Sequence, residues 1–155
     1  MYQNNKRNNG ISQNQGLSFM EDMIKLALED EKKAIAFYKT MASRFEDEDD
    51  AKFVEDIYLD EVRHYRVLEN IYSTLFNKNV EPMDFSQIQS KLPNNNFQNF
   101  QNTFNDEISA FEFYRDLYFN VNDQNLKKLF FELMSDEQKH AVKINYLLTK
   151  YNCFR

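Results

Sequence analysis

Two short words in the sequence set an imidazole three residues after a carboxylate: Glu61-x-x-His64 and Glu137-x-x-His140. The chain has 2 histidines, and both stand in these words. On a helix this spacing puts both side chains on one face, a turn apart, aimed at the same volume. Glu31 and Glu107 enlarge the pattern, because Glu31, Tyr38, Glu61 and His64 recur 76 residues later as Glu107, Tyr114, Glu137 and His140. Their neighbours repeat at the same offset: Asp30, Ala34, Phe37 and Asp60 are answered by Asp106, Ala110, Phe113 and Asp136. Such matched words mark two copies of one supersecondary unit.

Four carboxylates on otherwise apolar stripes are costly to bury, so they need cations or must take up protons. No Lys or Arg lies on those stripes at that level. Two divalent ions balance four carboxylates and two neutral imidazoles, which sets the expected load at two metals. Oxygen and nitrogen donors without thiolate suit iron first, with manganese as the alternative. Zinc is disfavoured, since a structural zinc closes its shell with four ligands and leaves the duplication unexplained. A single Glu-x-x-His carries little information, and a histidine on an apolar face is ordinarily a hydrogen-bonded core residue. Finding both words at the repeat offset, each with its extra Glu, is what favours ligation.

Around these six, Tyr38 and Tyr114 lie two turns beyond the Glu of their own helix. They are candidates to hold a ligand carboxylate, with core packing as the alternative. Asp60 and Asp136, four residues before each His, are candidate acceptors for the free imidazole N–H. That bond would run within the helix or across the bundle, with plain surface exposure as the alternative.

Positioning such a cluster is work for long helices. The chain of 155 residues suits one domain, and its 2 Gly and 2 Pro leave few helix breakers, so an all-α fold is expected. Apolar residues at three- and four-residue steps predict helices over about 17–45, 49–77, 97–121 and 123–151. On the first, the stripe runs through Met20, Met23, Ala27, Glu31, Ala34, Tyr38 and Met41. Residues 78–96, with Pro82 and Pro93, read as a long crossover holding at most one short helical turn. Residues 1–16 are polar, rich in Asn and Gln, and expected to be disordered. In each hairpin the paired glutamates are equidistant from the turn, roughly 22 Å along the helices. Two such hairpins joined by a long crossover pack as an antiparallel four-helix bundle with all six residues at one level. Phe37, Phe104, Phe111, Phe113, Phe130 and Phe131 are expected to pack rather than to line a cofactor site. The acidic run 46–50 reads as a solvated turn opening a helix, since it lacks the spaced Gly of a calcium loop.

A formal charge of -6 with no basic face argues against nucleic acid as partner. No apolar run is long enough to cross a membrane or to serve as a signal peptide, so a cytoplasmic protein is expected. The 1 cysteine, Cys153, forms no internal disulfide and no Cys-x-x-Cys site.

Glu31, Glu61-x-x-His64, Glu107 and Glu137-x-x-His140 resemble the diiron domain of the rubrerythrin branch of the ferritin-like superfamily, over about Leu17 to Tyr151. The resemblance implies a ferritin-like bundle holding two iron ions. Glu61 and Glu137 would bridge the metals, Glu31 and Glu107 would be terminal, and His64 and His140 would each complete one metal. It also implies oxidation of ferrous iron with reduction of hydrogen peroxide or dioxygen, and a homodimer. That branch carries a further Glu one turn after the helix C ligand, used in a redox-linked movement of iron. Ala110 stands there in this sequence, so His64 is expected to stay ligated in both oxidation states. The branch also appends a rubredoxin-like domain with two Cys-x-x-Cys words, which this sequence lacks, so electrons are expected from a separate donor protein or from ferrous iron itself. The expected function is therefore a peroxidase- or ferroxidase-type oxidoreductase. The alternatives are a non-catalytic metal-binding, structural or storage protein, or a dimanganese catalase-like enzyme.

Overall fold

The computed structural model describes residues 13–92 and 96–152, and all regular structure among them is helical. The four helices are α1 (Gln13–Ala42), α2 (Glu48–Phe76), α3 (Asn96–Asn120) and α4 (Gln124–Asn152). α1 begins four residues earlier than periodicity predicts, so residues 13–16 are helical rather than part of a tail. The rest of the expected tail, residues 1–12, and Cys153 lie outside the described residues. α1 also ends short of the predicted 45. Arg44 N donates to Met41 O at 3.0 Å and Phe45 N to Ala42 O at 3.5 Å, three-residue bonds that tighten and close the last turn.

Local chemistry fixes the other ends. The Asp47 carboxylate accepts from the backbone N–H groups of Asp49 and Asp50 at 3.0 and 3.1 Å, and three acidic residues occupy the positive end of α2. Asn77 closes α2 in the left-handed region, φ 51°, which a short polar side chain tolerates. Asp123 caps α4 in the same way, accepting from Asn125 N and Leu126 N at 2.9 Å each. Asp50 departs from the reading of the acidic run as solvated. It is buried, and its carboxylate accepts from Lys150 Nζ at 2.7 Å and Tyr151 Oη at 2.5 Å, tying the start of α2 to the end of α4.

α1 packs along α2, α3 along α4, and the two hairpins meet through α2 and α4. On the opposite side α1 and α3 enclose a cavity of about 530 Å³. Within the crossover, the described residues hold a turn at 85–87 in place of a helical turn. The segment is strapped to α1: Lys39 Nζ donates to the carbonyls of Phe85 and Ser86 at 2.8 and 2.5 Å, and Arg44 Nη2 donates to Leu92 O at 3.0 Å.

The core forms two apolar layers. One contains Ile24, Leu28, Leu68, Leu117, Phe130 and Leu133; the other contains Met41, Val54, Ile57, Phe100, Ile144 and Leu147. The six Glu and His residues are buried in the same bundle interior, and Tyr114 belongs to the first layer while Tyr38 belongs to the second. Of the phenylalanines expected to pack, Phe130 is fully buried but Phe131 is half exposed and leans on the Tyr118 ring. Among the described residues, no helix is long and apolar enough to cross a membrane.

Candidate metal centre

Each helix contributes to one buried polar cluster. Glu31 comes from α1, Glu61 and His64 from α2, Glu107 from α3, and Glu137 and His140 from α4, none more than 5% exposed. The six fall into two sets of four. Donor atoms of Glu31, Glu61, His64 and Glu137 lie within 4.8 Å of one another, and so do those of Glu61, Glu107, Glu137 and His140. Glu61 and Glu137 are common to both sets. The duplication seen in sequence is therefore a duplication in space.

Both imidazoles turn Nδ1 inward. His64 Nδ1 lies 3.0 Å from Glu137 Oε1 and 3.2 Å from Glu61 Oε2, while His140 Nδ1 lies 3.0 Å from Glu61 Oε1 and 3.2 Å from Glu137 Oε2. The rings stand 5.6 Å apart at 29°. Their Nε2 atoms face outward to the aspartates of the opposite hairpin, at 3.2 Å for His140 to Asp60 and 3.6 Å for His64 to Asp136. Of the two routes open to these aspartates, the structure takes the one across the bundle. The tyrosines also cross: Tyr38 Oη donates to Glu107 Oε1 and Tyr114 Oη to Glu31 Oε1. All ten residues predicted around the site are thus brought together.

Sequence reasoning missed Arg63. A cation does stand at this level, on the flank of α2, with its guanidinium donating to Asp60 Oδ1 at 3.1 Å and Asp136 Oδ2 at 2.5 Å. Its long stem carries the charge around the helix to the rim, which a stripe of inward positions does not register.

Charge within the cluster is balanced by protons when no metal is bound. Burial pushes the Glu31 carboxyl well up, and repulsion from Glu61 and Glu137 adds to it. Glu107 is pushed up to about 8, chiefly by burial, with His140 opposing and Glu61 and Glu137 adding. Burial acts against charge on both imidazoles, but the carboxylates around them outweigh it. Asp136, Glu137 and Glu61 at His64, and Asp60, Glu107, Glu137 and Glu61 at His140, hold both rings protonated above the usual histidine range. Burial also disfavours ionised Glu61, yet hydrogen bonds from His140 and His64 bring its carboxyl below the usual range. His140 lowers Asp60; His64, then Lys139 and Arg63, lower Asp136. Burial, and then the neighbouring carboxylates, raise both tyrosine hydroxyls, so Tyr38 and Tyr114 stay protonated donors.

The residues fit a metal pair. Glu61 Oε1, Glu107 Oε2 and Glu137 Oε1 are buried without a well-aligned hydrogen bond, and each has an imidazole Nδ1 within 3.5 Å, so a cation placed among them would take up lone pairs that only the protonated rings face otherwise. Each set offers carboxylate oxygens and one imidazole nitrogen, the donors iron and manganese accept. This buried carboxylate and histidine cluster has the make-up of a diiron-type site.

Comparison with known proteins agrees. Residues 7–72 match the rubrerythrin family model, a segment that holds Glu31, Glu61 and His64; Glu107, Glu137 and His140 come from the second hairpin. YhjR of Bacillus subtilis (strain 168), described as uncharacterized, is 28% identical over 122 residues, 79% of this chain and 81% of its own length. A hypothetical protein from Pyrococcus furiosus shares the fold with a TM-score of 0.70, covering 85% of this chain and 91% of its own, at 23% identity. Residues 7–72 are thus similar to the rubrerythrin family, and the chain has the all-α, ferritin-like four-helix fold around a buried carboxylate and histidine cluster.

Proposed function

We propose that the protein is a diiron carboxylate oxidoreductase that reduces hydrogen peroxide or dioxygen while ferrous iron is oxidised. The observation that carries this reading is the pair of mirrored donor sets sharing Glu61 and Glu137. When bound, two ferrous ions supply two electrons, enough to convert one hydrogen peroxide and two protons into two waters. The rest is the work of the chain. Glu61 and Glu137, common to both sets, keep the two positions side by side. Glu31 and Glu107 enter from α1 and α3, and the hydroxyls of Tyr114 and Tyr38 fix their orientation. Asp60 and Asp136 face the Nε2–H side of each imidazole, which leaves the Nδ1 lone pair directed inward.

The oxidant reaches the cluster through the cavity between α1 and α3, whose wall includes Glu31, Glu107, Tyr38, Tyr114, Ala34 and Ala110. At about 530 Å³ it far exceeds the roughly 30 Å³ that a water-sized molecule occupies. Ala110, where the resembling branch has a Glu, helps keep this side clear. Iron is the proposed metal, with a separate protein or ferrous iron as electron source and a homodimer as the working assembly.

The test is stopped-flow mixing of the anaerobic ferrous-loaded protein with hydrogen peroxide. A near-ultraviolet ligand-to-metal band is expected, rising as peroxide is consumed at about one per two irons. Unconsumed peroxide with no band would refute the oxidoreductase reading.

A further inference from the structure

The repeat duplicates Glu31, Tyr38, Asp60, Glu61 and His64 residue for residue, but it breaks one layer further out, where Arg63 is answered by Lys139. The two cations act differently. Lys139 Nζ holds Asp136 of its own helix at 2.7 Å. Arg63 holds its own Asp60 at 3.1 Å and also reaches across to Asp136 at 2.5 Å. Beside the imidazole each one faces, Asp136 thus serves a lysine and an arginine, and Asp60 the arginine.

The imidazoles differ in step. His140 Nε2 lies 3.2 Å from Asp60 Oδ2, within hydrogen-bond range. His64 Nε2 stands 3.6 Å from Asp136 Oδ2, with Arg63 Nη2 only 3.4 Å away. A carboxylate free to accept an imidazole N–H makes the ring a better electron donor to a metal. One already engaged by a lysine and a guanidinium has less negative charge to offer, and the guanidinium beside the ring opposes positive charge on it. The inner residues differ in the same sense, with His140 Nδ1 3.5 Å from Glu107 and His64 Nδ1 3.9 Å from Glu31, and the difference in residue type enters through Arg63.

We propose that the two metal positions are unequal, that the one formed by Glu61, Glu107, Glu137 and His140 fills first, and that Arg63 is the positioning residue that makes them so. This rests on reading the cluster as a two-metal site. The position at His64 is then the weaker, exchangeable one. The expected gap in affinity is about 10- to 100-fold, the range produced by changing the partner behind a ligand.

The experiment titrates ferrous ion anaerobically into the metal-stripped full chain by calorimetry, for the wild type and for Arg63→Leu. Mössbauer spectra are recorded at one and at two ions per chain, and anomalous scattering locates the ion in crystals loaded with one. The wild type is expected to show two separated affinities, two distinct quadrupole doublets, and the first ion beside His140. Arg63→Leu, at a rim position that is 45% exposed, is expected to keep the fold, narrow the gap by about tenfold and bring the doublets together. Lys139→Leu should act in the same direction but less, because Lys139 is ion-paired with Asp136 and, among the described residues, does not bridge to Asp60 as Arg63 does. Convergence of the doublets separates a positioning role from loss of stability, which would lower the melting temperature without changing either ion's environment. Equal affinities in the wild type, a first ion beside His64, or a gap unchanged in Arg63→Leu would each overturn the proposal and leave the two-metal reading intact. A chain that binds no ferrous ion would overturn both.

Discussion

Replacing Glu61 by Ala is expected to abolish both metal positions, whereas Glu31→Ala should leave one. Glu61 belongs to both donor sets, while Glu31 belongs to the one that contains His64. Loss of a shared carboxylate removes a donor from each ion and strips the negative charge that holds the pair together. The affinity loss should exceed about 100-fold at both positions, the upper end of what changing an outer partner costs. Glu31→Ala leaves Glu61, Glu107, Glu137 and His140 in place, so one ion per chain should remain. Metal content after equilibration with ferrous ion, with circular dichroism to confirm helicity, distinguishes the two variants. Equal loss in both, or retention of both ions by Glu61→Ala, would contradict the shared-ligand geometry.

The second large effect is a reversal of pH dependence. Glu31, Glu107, His64 and His140 all have folded pKa values above their unfolded ones. A group raised in this way favours folding most below its unfolded value, and its contribution declines as pH rises toward the folded one. For Glu107 that window runs from 4.5 to about 8, and for the imidazoles it opens at 6.5. Glu61 is lowered, so its contribution is complete above 4.5 and is lost only on acidification. The metal-stripped protein should therefore lose stability as pH rises from about 5 to about 8. The loaded protein should gain over the same interval, because binding expels about four protons per chain, one from each of the four raised groups. Paired melting curves in chelator and in ferrous ion check this, and parallel slopes would contradict it. The same protons would appear as a buffer-dependent heat in calorimetric titration.

Much of the site was legible because ligation leaves a strong mark in sequence. A carboxylate and an imidazole locked at helical spacing, duplicated at one offset, survive any uncertainty in helix ends. The tyrosines were placed on the right faces by the same period. What the period left open was the partner: Asp60 and Asp136 were equally readable as helix-internal or cross-bundle acceptors, and only the approach of α2 to α4 decides it. Arg63 was illegible for a related reason, since a flexible stem takes its charge to a place the backbone position does not indicate. Asp50 shows the converse: one residue in a run of five acids is drawn inside by Lys150 and Tyr151, a hundred residues on. On α1 the predicted stripe was too narrow. Ile24, Leu28 and Ile35 are buried beside it, because the helix packs on α2 while also supplying Glu31 to the cluster. The path of the crossover carries no periodic signal at all, being held by Lys39 and Arg44 on main-chain carbonyls that every residue possesses.

Because the proposed function requires the four glutamates and two histidines to be neutralised by two divalent ions, the direct measurement is a count of iron with a test of pairing. Ferrous ion is added anaerobically to the metal-stripped protein, followed by oxidation with peroxide and electron paramagnetic resonance. Saturation at two ions per chain, and an oxidised sample without the signal of isolated ferric iron, is the expected result. Saturation at a single ion, or a full-intensity signal from magnetically separate irons, would contradict a centre that shares Glu61 and Glu137.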